Sequence, residues 1–225
     1  MRSPIWPVAL SILVLVTTPV PLASADRERA EPTREWNFDS EAGTLPEGFQ
    51  IGTLYDGRPA GDWKVQAIQT APSPPHVLAQ LMGKGAEHAY KVVLLKDPQA
   101  ADLELEVAFL AVSGKGDQGG GLIWRATDDR NYYLTRANPL EQNIRLYHVV
   151  KGVRKMIANH DRIIDVKRWH RLKVKTEGCR IRVFYDDEPV FDQCDRTFAS
   201  GMIGLWTKSD AITYFDNLKV SVLKK

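Results

Sequence analysis

The run Asp102-Leu103-Glu104-Leu105-Glu106 is the stretch of this chain with the plainest capacity for chemistry. In an extended strand alternate side chains share a face, so the carboxylates of Asp102, Glu104 and Glu106 point together while Leu103, Leu105 and Val107 point the other way. Carboxylates that share a face can serve as general acid and base, which makes Glu104 and Glu106 the candidate catalytic pair. The competing reading is an ordinary half-solvated strand, which shows the same alternation. A second set of side chains suits a hydroxyl-rich ligand. Arg125, Asn131, Arg136 and Arg145 offer planar polar groups that fork onto hydroxyls, and Tyr133 and Trp206 offer aromatic faces for the ligand's C–H surface.

Other chemistries lack their motifs. His76, His88, His148, His160 and His170 show no H-E-x-x-H or comparable ligand spacing, and neither a G-x-S-x-G elbow nor a C-x-x-C pair occurs. The glycine run from Gly114 to Gly121 (GKGDQGGG) does not end in the G-K-[ST] of a phosphate loop. It reads as a flexible loop whose Gly119–Gly121 end permits close approach of backbone or ligand.

These groups sit on strands. From Gly119 to Ala158 four short apolar and aromatic segments are separated by turn residues at 128–131, 138–143 and 151–152, the pattern of an antiparallel meander. Alternation sends Trp124 and Arg125 to opposite faces. A guanidinium cannot enter the core unpaired, so Arg125 and Arg145 are expected on the open face and Trp124 in the core. The register across 128–131 decides whether Tyr132 or Tyr133 joins them and stays open at this point, with Tyr133 the candidate in the ligand set. Trp206, followed by Thr207-Lys208-Ser209-Asp210 at a strand end, is the best surface aromatic. No ten-residue stretch has a helical period, and about fourteen short strands imply two packed antiparallel sheets in one domain over residues 35–223, after a charged leader at 26–34.

A family resemblance rests on this meander and on the two ends of the domain. The glycine run into G-L-I-W-R, then D-x-x-N-Y-Y, an R-L-Y segment and a K-G turn resemble the middle sheet of concanavalin A-like jelly-roll domains, in the 3-keto-disaccharide hydrolase-like or family 16 glycoside hydrolase-like (laminin-G-like) group. W-N-F-D near the start and Y-F-D-N-L-K-V near the end resemble the paired terminal strands of such domains. The resemblance implies an all-β, two-sheet antiparallel jelly-roll sandwich that binds a poly- or oligosaccharide on its concave sheet. It also implies two alternatives: glycoside cleavage, through Arg125 or through Glu104 and Glu106, and non-catalytic recognition of a protein or cell surface. The chain has Asp102, Glu104 and Glu106 where family 16 enzymes carry E-x-D-x-E, and Asn131 to Arg136 where a glutamate-bearing strand follows in the keto-sugar group. No cofactor is required; Asp39 and Asp216 could share a structural calcium where the termini meet, with turn hydrogen bonding as the simpler role.

Residues 1–25 have Arg2, an apolar run from Ile5 to Val16 and Ala23-Ser24-Ala25 before a cleavage point, the features of a secretory signal peptide. The run is shorter than the ~20 apolar residues a membrane span needs, Pro19 and Pro21 break it, and no cysteine follows to carry a lipid. A periplasmic or extracellular protein without a membrane anchor is expected. With 30 basic and 28 acidic residues the chain is near neutral, which excludes an electrostatic nucleic-acid binder; a monomer is expected. Cys179 and Cys194 flank a hairpin turning at Asp186-Asp187, and in that register they face each other. In an oxidising compartment they are expected to form a disulfide.

Overall fold

The computed structural model describes residues 32–166 and 168–223. The signal peptide assigned to 1–25 lies outside them, as does most of the leader. Fifteen strands and no helix occur among the described residues. One sheet runs β13 (Glu188–Cys194), β12 (Arg180–Tyr185), β11 (His170–Glu177), β6 (Leu103–Ser113), β15 (Ile212–Val222), β4 (His76–Gln80) and β3 (Trp63–Ala67), with β1 (Arg34–Trp36) also paired to β15. The other runs β10 (Val153–Asp161), β9 (Asn143–Val150), β8 (Asn131–Asn138), β7 (Gly120–Asp128), β14 (Gly201–Lys208), β5 (Tyr90–Ala100) and β2 (Phe49–Ile51). All the pairings are antiparallel, so the expected two-sheet jelly-roll sandwich stands, and β1 pairs with β15, the first strand with the last, as the terminal motifs implied.

The core follows from alternation. On β6 Leu103, Leu105, Val107, Phe109 and Ala111 are buried, while the residues between them are partly exposed. They meet Leu122 and Trp124 of β7, Tyr133 of β8 and Ile203 and Leu205 of β14 in the main cluster between the sheets. The second sheet departs from the simple pattern. β8 is buried at seven successive positions and β14 at almost all of its length, because the outer face of this sheet carries its own apolar cluster of Val92, Leu94, Ile123, Tyr132, Leu134, Tyr147, Val149 and Trp206. Strands buried on both faces lose their polar alternation.

The cysteine hairpin turns at Asp186-Asp187 with φ of 47° and 67°, the left-handed pair of a type I′ turn. Cys179 and Cys194 are disulfide-bonded, with Cα atoms 4.8 Å apart. Their expected pairing directly across the ladder is corrected: Cys194 lies opposite Arg180, because β13 carries a bulge between the partners of Val183 and Phe184. Pro189 is next to that bulge, a place where a residue without an N–H is tolerated.

The Gly114–Gly121 run is tethered rather than loose, which corrects its reading as a flexible loop. Asp210, in the turn between β14 and β15, accepts the backbone N–H groups of Lys115, Gly116 and Asp117 at 2.7–3.1 Å. Gly119 has φ 128°, and a Cβ there would lie 2.1 Å from the Ala137 carbonyl oxygen, so the close approach made possible by glycine is to backbone. Burial alone would raise the Asp210 pKa, but the three N–H groups outweigh it and hold the carboxyl at about 2. A depressed carboxyl stabilises the fold above its unfolded pKa, near 3.8, and loses that contribution as pH falls toward 2. Asp210→Ala is expected to lower unfolding free energy at pH 7 by about 1.5–3 kcal/mol, the scale of a hydrogen bond to a charged group. In urea titrations the deficit should shrink as pH falls below 3; a deficit independent of pH would refute this account.

Candidate functional site

On the outer face of the second sheet, pairing register places Trp206 opposite Gly121, Gly121 opposite Arg136, Arg136 opposite Arg145 and Arg145 opposite Asn159. These residues form a row across five strands, and alternation gives them one face. A Cβ at Gly121 would lie 2.8 Å from Leu134 Cδ1 and 2.9 Å from Arg136 Cβ, so those side chains close over the glycine. The neighbouring row holds Ile123, Leu134 and Tyr147, so an apolar strip backs the polar one.

The polar row is tied together. Arg136, 2 % exposed, donates to the Asn143 carbonyl at 3.0 Å, to the Asn143 side chain, and to Glu141 Oε2 at 2.8 Å. Arg145 reaches the same Oε2 at 2.8 Å and donates through Nε to Asn159 at 2.8 Å. Burial would raise the Glu141 pKa, but the two guanidiniums overcome it and hold the carboxyl below its usual range. No protein donor among the described residues reaches Glu141 Oε1, and the side chain is 37 % exposed. Asp117 and Lys208 form a buried ion pair at 3.2 Å nearby; burial pushes the Asp117 carboxyl up against the pull of Lys208 and Arg136.

The aromatic part of the face is closed by the protein itself. Arg154, from the edge strand β10, holds its guanidinium 4.4 Å from the Tyr147 ring, 5.6 Å from Tyr90 and 5.7 Å from Trp206. Trp206 is therefore 1 % exposed, which corrects its assignment as a surface platform. The Trp206 indole N–H and the Tyr132 hydroxyl are close enough to influence each other, yet neither makes a full hydrogen bond, and both are buried. Such buried atoms suit ordered water.

Of the ligand set expected from sequence, Arg136 and Arg145 lie side by side on this face and Trp206 lies beneath it. Arg125 does not. Its φ of 48° at a break in the β7–β8 register turns it away from the face, where it donates to the carbonyls of Ala101 (2.7 Å), Phe198 (3.2 Å) and Gly178 (2.7 Å) and pairs with Asp102 at 3.2 Å. It is 2 % exposed and ties the two sheets together, so the open-face assignment is corrected. Tyr133 is likewise corrected: it stacks on Trp124 inside the core at 5.5 Å and donates to Asp195, whereas Tyr132 takes the outer face. Asn131 caps the β7–β8 turn through Asp128 and accepts the Lys151 N–H, away from the polar row.

Glu104 and Glu106 sit on the outer face of the opposite sheet, across from Lys175 and Lys173 of β11. Asp102 does not join them, because it precedes the first residue of β6 and bends inward to accept from Arg125 and the Gly178 N–H. Asp39 bonds Asn37 and approaches His76 at 3.5 Å, while Asp216 accepts the N–H groups of Ser73 and Asn217. Among the described residues no group of three or more His, Cys, Asp or Glu side chains is placed to hold a metal ion. The contributors not singled out from sequence are Glu141, Asn143, Tyr147 and Arg154. The turn signal at 138–143 marked where Glu141 and Asn143 lie, but only register shows that they face the arginines.

No family model matches the chain. A levanase of Bacillus subtilis (strain 168) is 29% identical over 128 residues, 56% of this chain and 18% of the levanase, so the chain matches under a fifth of that protein's length. Among solved structures, the carbohydrate binding module CBM66 from Bacillus subtilis superposes with a TM-score of 0.62 at 24% identity, over 76% of this chain and 94% of the module. A mutant of the GH43 protein BlXynB from Bacillus licheniformis gives a TM-score of 0.55 at 15% identity, over 84% of this chain and 39% of that one. At these identities the structural likeness shows the β-sandwich fold.

Replacing Arg125 by Met would leave three buried carbonyls and Asp102 without their shared donor. The expected cost is about 3–5 kcal/mol of stability, read from urea unfolding, with the outer face of the second sheet unaltered in the folded fraction. A stability equal to that of the parent would show that the guanidinium is dispensable to the fold.

Proposed function

We propose that the chain is an exported carbohydrate-binding domain whose glycan lies on the outer face of the second sheet, over Glu141, Arg136 and Arg145. The observation that carries this reading is the convergence of two guanidiniums on one oxygen of Glu141, which orients the carboxylate and leaves its second oxygen without a protein donor among the described residues. Planar groups of both signs, fixed before binding, match the paired donor and acceptor character of sugar hydroxyls. Arg154, within 4.4–5.7 Å of three ring centroids, adds a further donor at the edge of the same face. The levanase relative and the CBM66 fold support a glycan as ligand and make levan the first to test.

The same reading takes the protein to act outside the cytoplasm as a monomer without a membrane anchor or required cofactor. Membership in the keto-sugar hydrolase-like or family 16-like group enters it only through the shared sandwich, since Arg125 is occupied and Glu104 and Glu106 lie on the other face.

Calorimetric titration with levan, inulin, laminarin and xylan tests the proposal. Binding to at least one is expected, and Glu141→Gln should weaken it about 10- to 100-fold, the equivalent of ~1.5–3 kcal/mol for a hydrogen bond to a charged group. Arg125→Met should leave the affinity of the folded protein unchanged. Absence of heat with every glycan would overturn the reading, and release of new reducing ends by the intact chain would replace binding by glycoside cleavage.

A further inference from the structure

The opposite sheet carries a polar cleft of about 410 Å3, lined by Glu106, Ala108, Trp169, Arg171, Asn217 and Lys219 among others. Its origin is local. Along β6 the outward positions are Glu104, Glu106, Ala108 and Leu110, and the single small side chain, Ala108, lies between Arg171 of β11 and Asp216 of β15. Asp216 is wholly buried and bonds the 70–75 loop through the Ser73 N–H, so it does not fill the gap. The β15 register shifts between Asp216 and Lys219, and Asn217, at φ 50°, is fixed there by accepting the Ser73 hydroxyl at 2.7 Å. One wall is the Trp169 side chain, anchored by its indole N–H to the Thr70 carbonyl at 2.9 Å and packed with Ala71, Val77 and Ala79.

The chemistry on offer is specific. Glu106 is approached by Arg171 at 3.8 Å and Lys173 at 3.9 Å, both beyond hydrogen-bond distance, so its oxygens keep their acceptor capacity while the charge is balanced. Lys219 already pairs with Glu35 at 3.0 Å. A charge-balanced cleft with an indole wall, a guanidinium, an amide and an unspent carboxylate favours a neutral, hydroxyl-rich ligand over an anion. Its volume falls in the range of small-molecule sites, ~300–1,000 Å3.

We infer that this cleft is a second glycan-binding site, for a short neutral oligosaccharide, on the face opposite the polar row of Arg136 and Arg145. Two sites on opposite sheets would let one domain engage two chains, or two stretches of one chain, and gain avidity on polymers that it lacks on short oligosaccharides. The inference shares its ligand class with the proposed function but none of its residues.

The test is calorimetric stoichiometry with tetrasaccharides cut from levan and laminarin, on the parent chain, on Glu141→Gln, and on Ala108→Leu, which fills the cleft, with Glu106→Gln as a second cleft variant that changes no volume. Two sites are expected in the parent. One should remain in each cleft variant and in Glu141→Gln, and affinity for the intact polymer should fall at least 10-fold in any of them. A single site abolished by Glu141→Gln and untouched by both cleft variants would overturn the second site and leave the first. A single site lost only in the cleft variants would support this cleft and overturn the reading of the polar row; no binding by the parent would overturn both.

Discussion

The structure depends on one buried guanidinium. Arg125 lies where the β5–β6 link, the β11–β12 turn and the segment before β14 meet, and it supplies hydrogen to Ala101, Gly178 and Phe198 while neutralising Asp102. An arginine in such a place is tolerable only when its donors are satisfied together, because each unmade bond would leave a buried polar group exposed to nothing. The left-handed backbone at Arg125 is the means by which the chain aims it there. The same turn leaves the outer face of β7 to Gly121, Ile123 and Ala126.

The outer face of the second sheet is consequently layered. Its apolar strip is sealed by its own aromatic rings and by Arg154, so a ligand meets the polar row at the β8–β9 end rather than a bare indole. Sealing has an energetic sense. A solvated patch of Trp206, Tyr147 and Tyr90 would expose several aromatic rings in one place, and covering them with a guanidinium keeps the apolar area out of water while a cation remains at the surface. Exposure on the polar row falls to Glu141, in the β8–β9 turn with one oxygen engaged, and to Arg145.

Much of this was legible in the residues, and what was not has identifiable causes. Alternation of small units such as Leu103-Glu104-Leu105-Glu106, the terminal W-N-F-D and Y-F-D-N-L-K-V pair and the Asp186-Asp187 turn report local geometry, and each appears in its expected place. Arg145 shares its face with Arg136 rather than with Arg125, the partner that alternation gave it. The failures occur where one residue breaks the period of two. A positive φ at Arg125, a bulge beside Pro189 and a strand that starts only at Leu103 each reverse or release the side chains that strict alternation would have fixed. The choice between Tyr132 and Tyr133 turned on register between strands, which no single strand encodes. Asp210 gathering the glycine loop is a contact across more than ninety residues and has no local signature.

Glu141 and Glu106 show how the same side chain acquires different uses on the two sheets. Glu141 has two guanidiniums on one oxygen at 2.8 Å, so its orientation is set before any ligand arrives and little rotamer freedom remains to be lost on binding. Glu106 has only cations at 3.8–3.9 Å, so its charge is offset but its rotamer is not locked. A ligand hydroxyl at Glu141 gains a preorganised acceptor, whereas one at Glu106 must also order the side chain, at a cost of about 0.5–1.5 kcal/mol. The polar row should therefore be the tighter of the two faces for equal contacts, and the cleft should matter most where a polymer presents many copies of the same unit.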